Sequence, residues 1–127
     1  MRGQLLALAM AVIGATTAAQ AHHSFAAFYH ESQSTSIEGQ VVEFQFRAPH
    51  AMLLVSARTP EGRMETYAAE WANPRRLGNQ GINKDTLKPG DTVVVTGSPG
   101  RTASEYKIHL KGIRRASDGW SWGGGRR

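Results

Sequence analysis

From Thr35 onward the apolar positions of this chain recur mainly with a period of two, the spacing of strands rather than helices. In TSIEGQVVEFQF, Ile37, Gly39 and Val41 share one parity, while Val42, Phe44 and Phe46 share the other. A parity switch inside one strand needs an extra residue, so the first strand is expected to carry a bulge or a sharp coil. AMLLVSAR follows as a second strand, mostly apolar and so expected to be covered on both faces. TPEG supplies a tight turn, with Pro60 pre-set for its second position and Gly62 closing it. RMETYAAEW then returns as the third strand, completing a hairpin.

The pattern changes at ANPRRLGNQG. Asn73 suits a helix N-cap, Pro74 the first helical position and Gly81 the end, which allows two turns at most. Pro89-Gly90 turns the chain into TVVVTGS, a central strand, and PGRTAS is a loop. In EYKIHLKGI, Tyr106, Ile108 and Leu110 are expected to point inward and Lys107, His109 and Lys111 outward. Three strands, a short helix and two strands predict an all-β fold: a small five-stranded OB-like barrel with one short helix between strands 3 and 4. Another small barrel or a sandwich with an incidental helix is the alternative.

The first residues read differently. Met1 and Arg2 precede an apolar run from Leu5 to Ile13, and GATTAAQA ends in Ala19-Gln20-Ala21, an A-x-A cleavage pattern. The run is short for a membrane span of about 20 residues, so a cleavable signal peptide is favoured over an uncleaved anchor. The expected organisation is a signal peptide over 1–21, a histidine-containing arm over 22–35, the barrel over 36–115 and a flexible Gly/Arg/Trp tail over 116–127. No transmembrane segment is expected after cleavage, and the mature protein is expected to be periplasmic or secreted.

Composition narrows the chemistry. The chain has no cysteine, so a metal site must use imidazole, amine, carboxylate or thioether groups rather than thiolate. The formal net charge of +5 gathers partly near the end, at Arg114, Arg115, Arg126 and Arg127. Such a basic run either touches an anionic partner or is simply solvated.

Several of these stretches together resemble a family of small exported bacterial proteins with no assigned function. They are AHHSFAAFYH at the cleavage site, VVEFQFRAPHAML with its Pro-His, NPRRLGNQGINKDTLKPGDTVVVTG and the late ASDG. The family is marked by a His-His-Ser-Phe mature start, an Asn-Pro-His-Ala motif and a Leu-Lys-Pro-Gly-Asp turn. The resemblance implies an exported OB-like barrel and no established activity. Ala48 stands where the family usually has Asn, which leaves His50 in register. WSWGGGRR departs from the family pattern.

Cleavage after Ala21 would make His22 the first residue, with a free α-amine and an imidazole able to chelate one metal. That amine titrates near pH ~7.7–8.0, so a metal can displace its proton around neutrality. His23 adds a second imidazole, and a third is expected from the barrel, where His50 follows Pro49 at the start of a strand. His109 and Met52 are possible additional ligands, and His30 lies in a polar stretch. An all-nitrogen set of this kind favours Cu(II) over Zn(II), without excluding another divalent metal. No acid–base pair or activated nucleophile is legible, so binding, delivery or sensing is favoured over catalysis.

A second reading is a non-enzymatic OB-type module for an anionic polymer, glycan or protein partner in the cell envelope, cytosolic nucleic acid being disfavoured by export. Its candidate residues are Tyr67, Trp71, Arg58, Arg63, Arg75 and Arg76, a mix of stacking and anion-pairing groups. Tyr67 and Trp71 also share parity with Ala69 and could belong to the core. A third reading is a structural envelope protein with no ligand, since a fold alone assigns no function.

Overall fold

The computed structural model describes residues 25–124. The expected signal peptide, His22 and His23 lie outside the described residues. The elements are β1 (Thr35–Gln45), β2 (Met52–Arg58), β3 (Met64–Glu70), α1 (Pro74–Asn79), β4 (Thr92–Pro99) and β5 (Lys107–Arg115). A short β6 (Ser121–Gly123) follows, and a 3-10 turn at Ala103–Glu105 lies between β4 and β5.

Strand pairing closes a barrel. β1 pairs antiparallel with both β2 and β4, β2 with β3, and β4 with β5. Closure comes from a parallel contact in which Ala68, Ala69 and Glu70 of β3 face Lys107, Ile108 and His109 of β5. This five-stranded circuit, with its helix between strands 3 and 4, is the OB arrangement.

Two features let a short sheet curl so tightly. The β1–β2 register shifts between Val41 and Glu43, so Val42 is the extra residue, and it is exposed. Before it Ile37 and Val41 are buried, and after it Phe44 and Phe46 pack against the core. The change of facing read in the sequence is that bulge. The second feature is close backbone approach: a Cβ at Gly39 would lie 2.0 Å from the Ser56 carbonyl oxygen, and one at Gly97 1.9 Å from that of His109. Gly97 also sits at the register shift of β4, so only glycine lets β4 and β5 approach there.

Inside, Leu53, Val55, Ala69, Val93, Val95, Ile108 and Leu110 form the core, and Leu77 of α1 is fully buried with them. Each large apolar side chain contributes roughly 1.5–3 kcal/mol by leaving water. Asn73 caps α1 through its side-chain oxygen, which accepts from the Arg76 N–H at 2.8 Å. Gly81 follows the helix with φ +82°, a left-handed turn that glycine adopts at low cost.

Three expectations need correcting. The second strand is not covered evenly: Leu53, Val55 and Ala57 are buried, while Met52, Leu54 and Ser56 are half-buried, as in a barrel with a wet outer face. Tyr106 does not point inward from β5 but follows the 3-10 turn with φ +49°. Residues 116–124 are not a free tail. β6 pairs with β5, placing Trp122 opposite Ile113, and the Trp122 ring meets Trp71 edge-on at 5.0 Å. Arg115 holds the preceding turn by ion pairs to Asp118 at 3.0 Å and Asp91 at 3.2 Å. Packing of the half-buried Trp122 ring outweighs the flexibility of the flanking glycines.

Among the described residues no helix is long and apolar enough to cross a membrane.

Candidate functional site

The parallel β3–β5 contact places Glu70 beside His109, and the β2–β3 register places Met52 beside Glu70. These residues alternate with buried Leu53, Ala69 and Ile108, so they face outward from the barrel. The loop entering β2 brings His50 to the same place. Ala51 donates its N–H to the Ala72 carbonyl at 2.9 Å, and Trp71 donates to the Ala51 carbonyl at 2.9 Å. The Ala48–Pro49 peptide in this loop is cis.

The arm completes the site. Residues 25–28 form a helical turn, and Tyr29 bridges to Gly100 with its ring buried. The Tyr29 hydroxyl donates to Glu70 Oε1 at 2.7 Å, while Glu70 Oε2 pairs with His50 Nδ1 at 2.9 Å. Two residues later Glu31 Oε1 pairs with His109 Nδ1 at 2.7 Å, and its other oxygen with Lys111 Nζ at 2.7 Å. Phe25 stacks on His109, with centroids 4.0 Å apart and planes 6° apart, and its centroid is 5.2 Å from that of His50. One phenyl ring therefore touches both imidazoles.

The electrostatics follow from these contacts. Burial pushes the Tyr29 phenol well above the usual range, and the hydrogen bond to Glu70 pushes it further, so it remains a proton donor to Glu70. Burial alone would raise the Glu31 carboxyl, but hydrogen bonds from Lys111 and His109 outweigh it and hold the group below its ordinary value. A carboxylate on each Nδ1 fixes that nitrogen as the N–H donor, and in the neutral ring this leaves the lone pair on Nε2. Among the described residues neither Nε2 has a hydrogen-bond partner.

Both histidines line one cavity of about 610 Å³, together with Phe25, Glu31, Trp71 and Arg76. His50 and His109 are thus brought together, the second under the arm rather than in open solvent. Met52 stands in register with Glu70 but does not line the cavity. His30 faces Arg101, with Nδ1 3.3 Å from the guanidinium. Among the described residues no three His, Cys, Asp or Glu side chains converge enough to hold a metal by themselves. The barrel offers two imidazoles, and any further ligand would have to come from elsewhere.

The stacking and arginine set divides. Tyr67, Arg58 and Arg63 line a second cavity, Trp71 and Arg76 line the histidine cavity, and Arg75 lines neither. Trp71 is a core residue, 1% exposed, and therefore no stacking platform. The residues that sequence reasoning missed are Phe25, Tyr29, Glu31 and Glu70. Barrel closure was the available signal for Glu70, because the end of β3 meets the start of β5 in any such circuit.

Among solved structures, the chain is similar to the mitochondrial single-stranded DNA-binding protein Rim1 from S. cerevisiae. The two are 14% identical, with 66% of this chain and 94% of that chain covered and a TM-score of 0.48. No curated protein matches the chain significantly. The model of a family of unknown function, DUF6152, matches residues 9–109, and the chain belongs to that family.

Proposed function

We propose that this is an exported copper-binding protein in which a processed N-terminal His22 and the barrel histidines His50 and His109 share one ion, with His23 alongside. The observation that carries this reading is the pair of carboxylate-held imidazoles, His50 on Glu70 and His109 on Glu31, both against Phe25. Metal-binding histidines usually donate their second ring N–H to a carboxylate or carbonyl, which orients the ring and makes the other nitrogen a better donor. Phe25 lies three residues after His22, and three residues of extended chain reach at most about 11 Å. A terminus created at His22 would therefore start no farther than that from Phe25, whose ring lies against both imidazoles.

Amine plus imidazoles, with no thiolate, is a donor set that favours Cu(II). The role is binding rather than turnover, and the carboxylates serve to orient ligands rather than to move protons. Two measurements test it. Mass spectrometry of the exported protein should give a first residue of His22. Cu(II) titration of that form should give one tight site, which weakens when His50 or His109 is replaced by alanine. A different first residue, or an affinity indifferent to both replacements, overturns the reading.

A further inference from the structure

The second cavity, about 620 Å³, lies between the β2–β3 hairpin and the β4–β5 connection and shares no residue with the histidine cavity. We propose that it binds an acidic sugar, a uronate unit of a carboxylated glycan. Its size falls within the range of about 300–1,000 Å³ typical of small-ligand clefts.

The cations of this cleft are set in place before any ligand arrives. Arg58 Nη1 donates to the Gly62 carbonyl at 2.8 Å, and Arg63 Nη2 to the Tyr106 hydroxyl at 3.2 Å. Each guanidinium carries five N–H donors, so one internal bond orders it and leaves others for an incoming carboxylate. Lys107 adds a third positive group, ion-paired to Glu105 at 3.4 Å, and Glu65 lies 4.0 Å from Arg63 Nε, while Glu61 is the one acidic side chain of the lining itself. Tyr106 is held at φ +49°, a conformation that bulky residues rarely adopt and that gathers at binding sites. That backbone turn sets its ring edge-on to Tyr67, with centroids 5.5 Å apart.

The same geometry decides between anionic ligands. Successive nucleotide bases need open aromatic faces to stack on, and two tyrosines packed edge to face turn one ring against the other. A single sugar ring needs one aromatic face, a guanidinium for its carboxylate, and hydroxyl partners. Thr102 and Ser104 in the lining supply the last.

The test uses the full processed protein with three probes: trigalacturonate, the neutral trisaccharide maltotriose, and a short oligothymidylate. Trigalacturonate should bind, maltotriose should bind far more weakly, and Arg63→Gln or Tyr67→Ala should weaken trigalacturonate by about tenfold. His50→Ala should leave trigalacturonate binding unchanged, which keeps this result independent of copper. Near-UV circular dichroism checks that each variant stays folded, and Arg63→Lys gives a second variant that keeps the charge but loses the fork. Equal binding of maltotriose, tighter binding of the oligothymidylate, or indifference to all three cleft substitutions overturns the proposal.

Discussion

At the open end of the β2–β3 hairpin two glutamates each take a ring N–H from a histidine. At its turn end a backbone carbonyl and a tyrosine hydroxyl each take an N–H from an arginine. The device is shared: one polar atom of a long or rotatable side chain is tied down, and the rest is presented to a cavity. The outcome is opposite. An imidazole tied at Nδ1 presents a lone pair, which suits a cation, whereas a tied guanidinium still presents only donors, which suits an anion. The ends also differ in what assembles them. The histidine end needs the arm, through Phe25, Tyr29 and Glu31, while the arginine end is built from β-strands and their connections alone.

The sharpest way to break this contrast is to alter the terminus that only the histidine end can use. One extra residue before His22 removes the amine that would chelate together with its own imidazole. Losing a tethered second donor typically costs about a hundredfold or more, and Cu(II) affinity is expected to fall by that order. Calorimetry and the Cu(II) electron paramagnetic resonance spectrum read the change. An unaltered affinity and spectrum would remove the terminal amine from the site.

A smaller effect separates holding from ligating. Glu70→Gln keeps the shape of the residue that holds His50 but removes its charge, and loss of such an orienting carboxylate costs about 10–100-fold in metal affinity. Cu(II) titration should show that loss while trigalacturonate binding stays as it was. If both ligands weaken together, the two ends are not independent and the variant has disturbed the barrel.

The fold was largely legible in the sequence because its signals are local. The parity switch around Val42, the Asn73-Pro74 helix start and the alternation in β5 each depend on neighbours within a few residues. The candidate site was only partly legible. His50 and His109 could be named as donors, but their pairing depends on barrel closure between β3 and β5, which is a contact between residues far apart in sequence. Glu31 gave no local sign of a role, since a glutamate in YHESQSTS looks like any solvated residue. The tail differs from its expectation for the same reason: glycines advertise freedom locally, while the packing of Trp122 against Trp71 is a long-range event.

How firmly the arm is fastened can be measured through Tyr29. Tyr29→Phe keeps the buried ring and deletes the hydroxyl that donates to Glu70 at 2.7 Å. Hydrogen bonds to charged groups contribute about 1.5–3 kcal/mol, and partial exposure of Glu70 puts the expected loss near the lower figure. Urea unfolding should register it, with a larger fall in protection from hydrogen exchange at Tyr29 and His30 than in β2. Equal loss everywhere would mean that arm and barrel unfold as one unit.

The smallest expected effect concerns pH. The Glu31 carboxyl is held below its ordinary value of 4.5 by Lys111 and His109 despite the opposing effect of burial. A group whose folded value is depressed contributes stability that is fully present above its unfolded value and is lost as pH falls through the folded one. The wild-type protein should therefore exceed Glu31→Gln in stability at pH 6, by up to about 1 kcal/mol given the partial exposure of the pair. That margin should shrink as pH drops below about 4.5 and vanish once Glu31 is protonated. Urea unfolding of both proteins at a series of pH values reads it directly. A margin that grew on acidification would mean that Glu31 resists ionisation in the fold, and the arm would then be held by packing of Phe25 and Tyr29 rather than by charge.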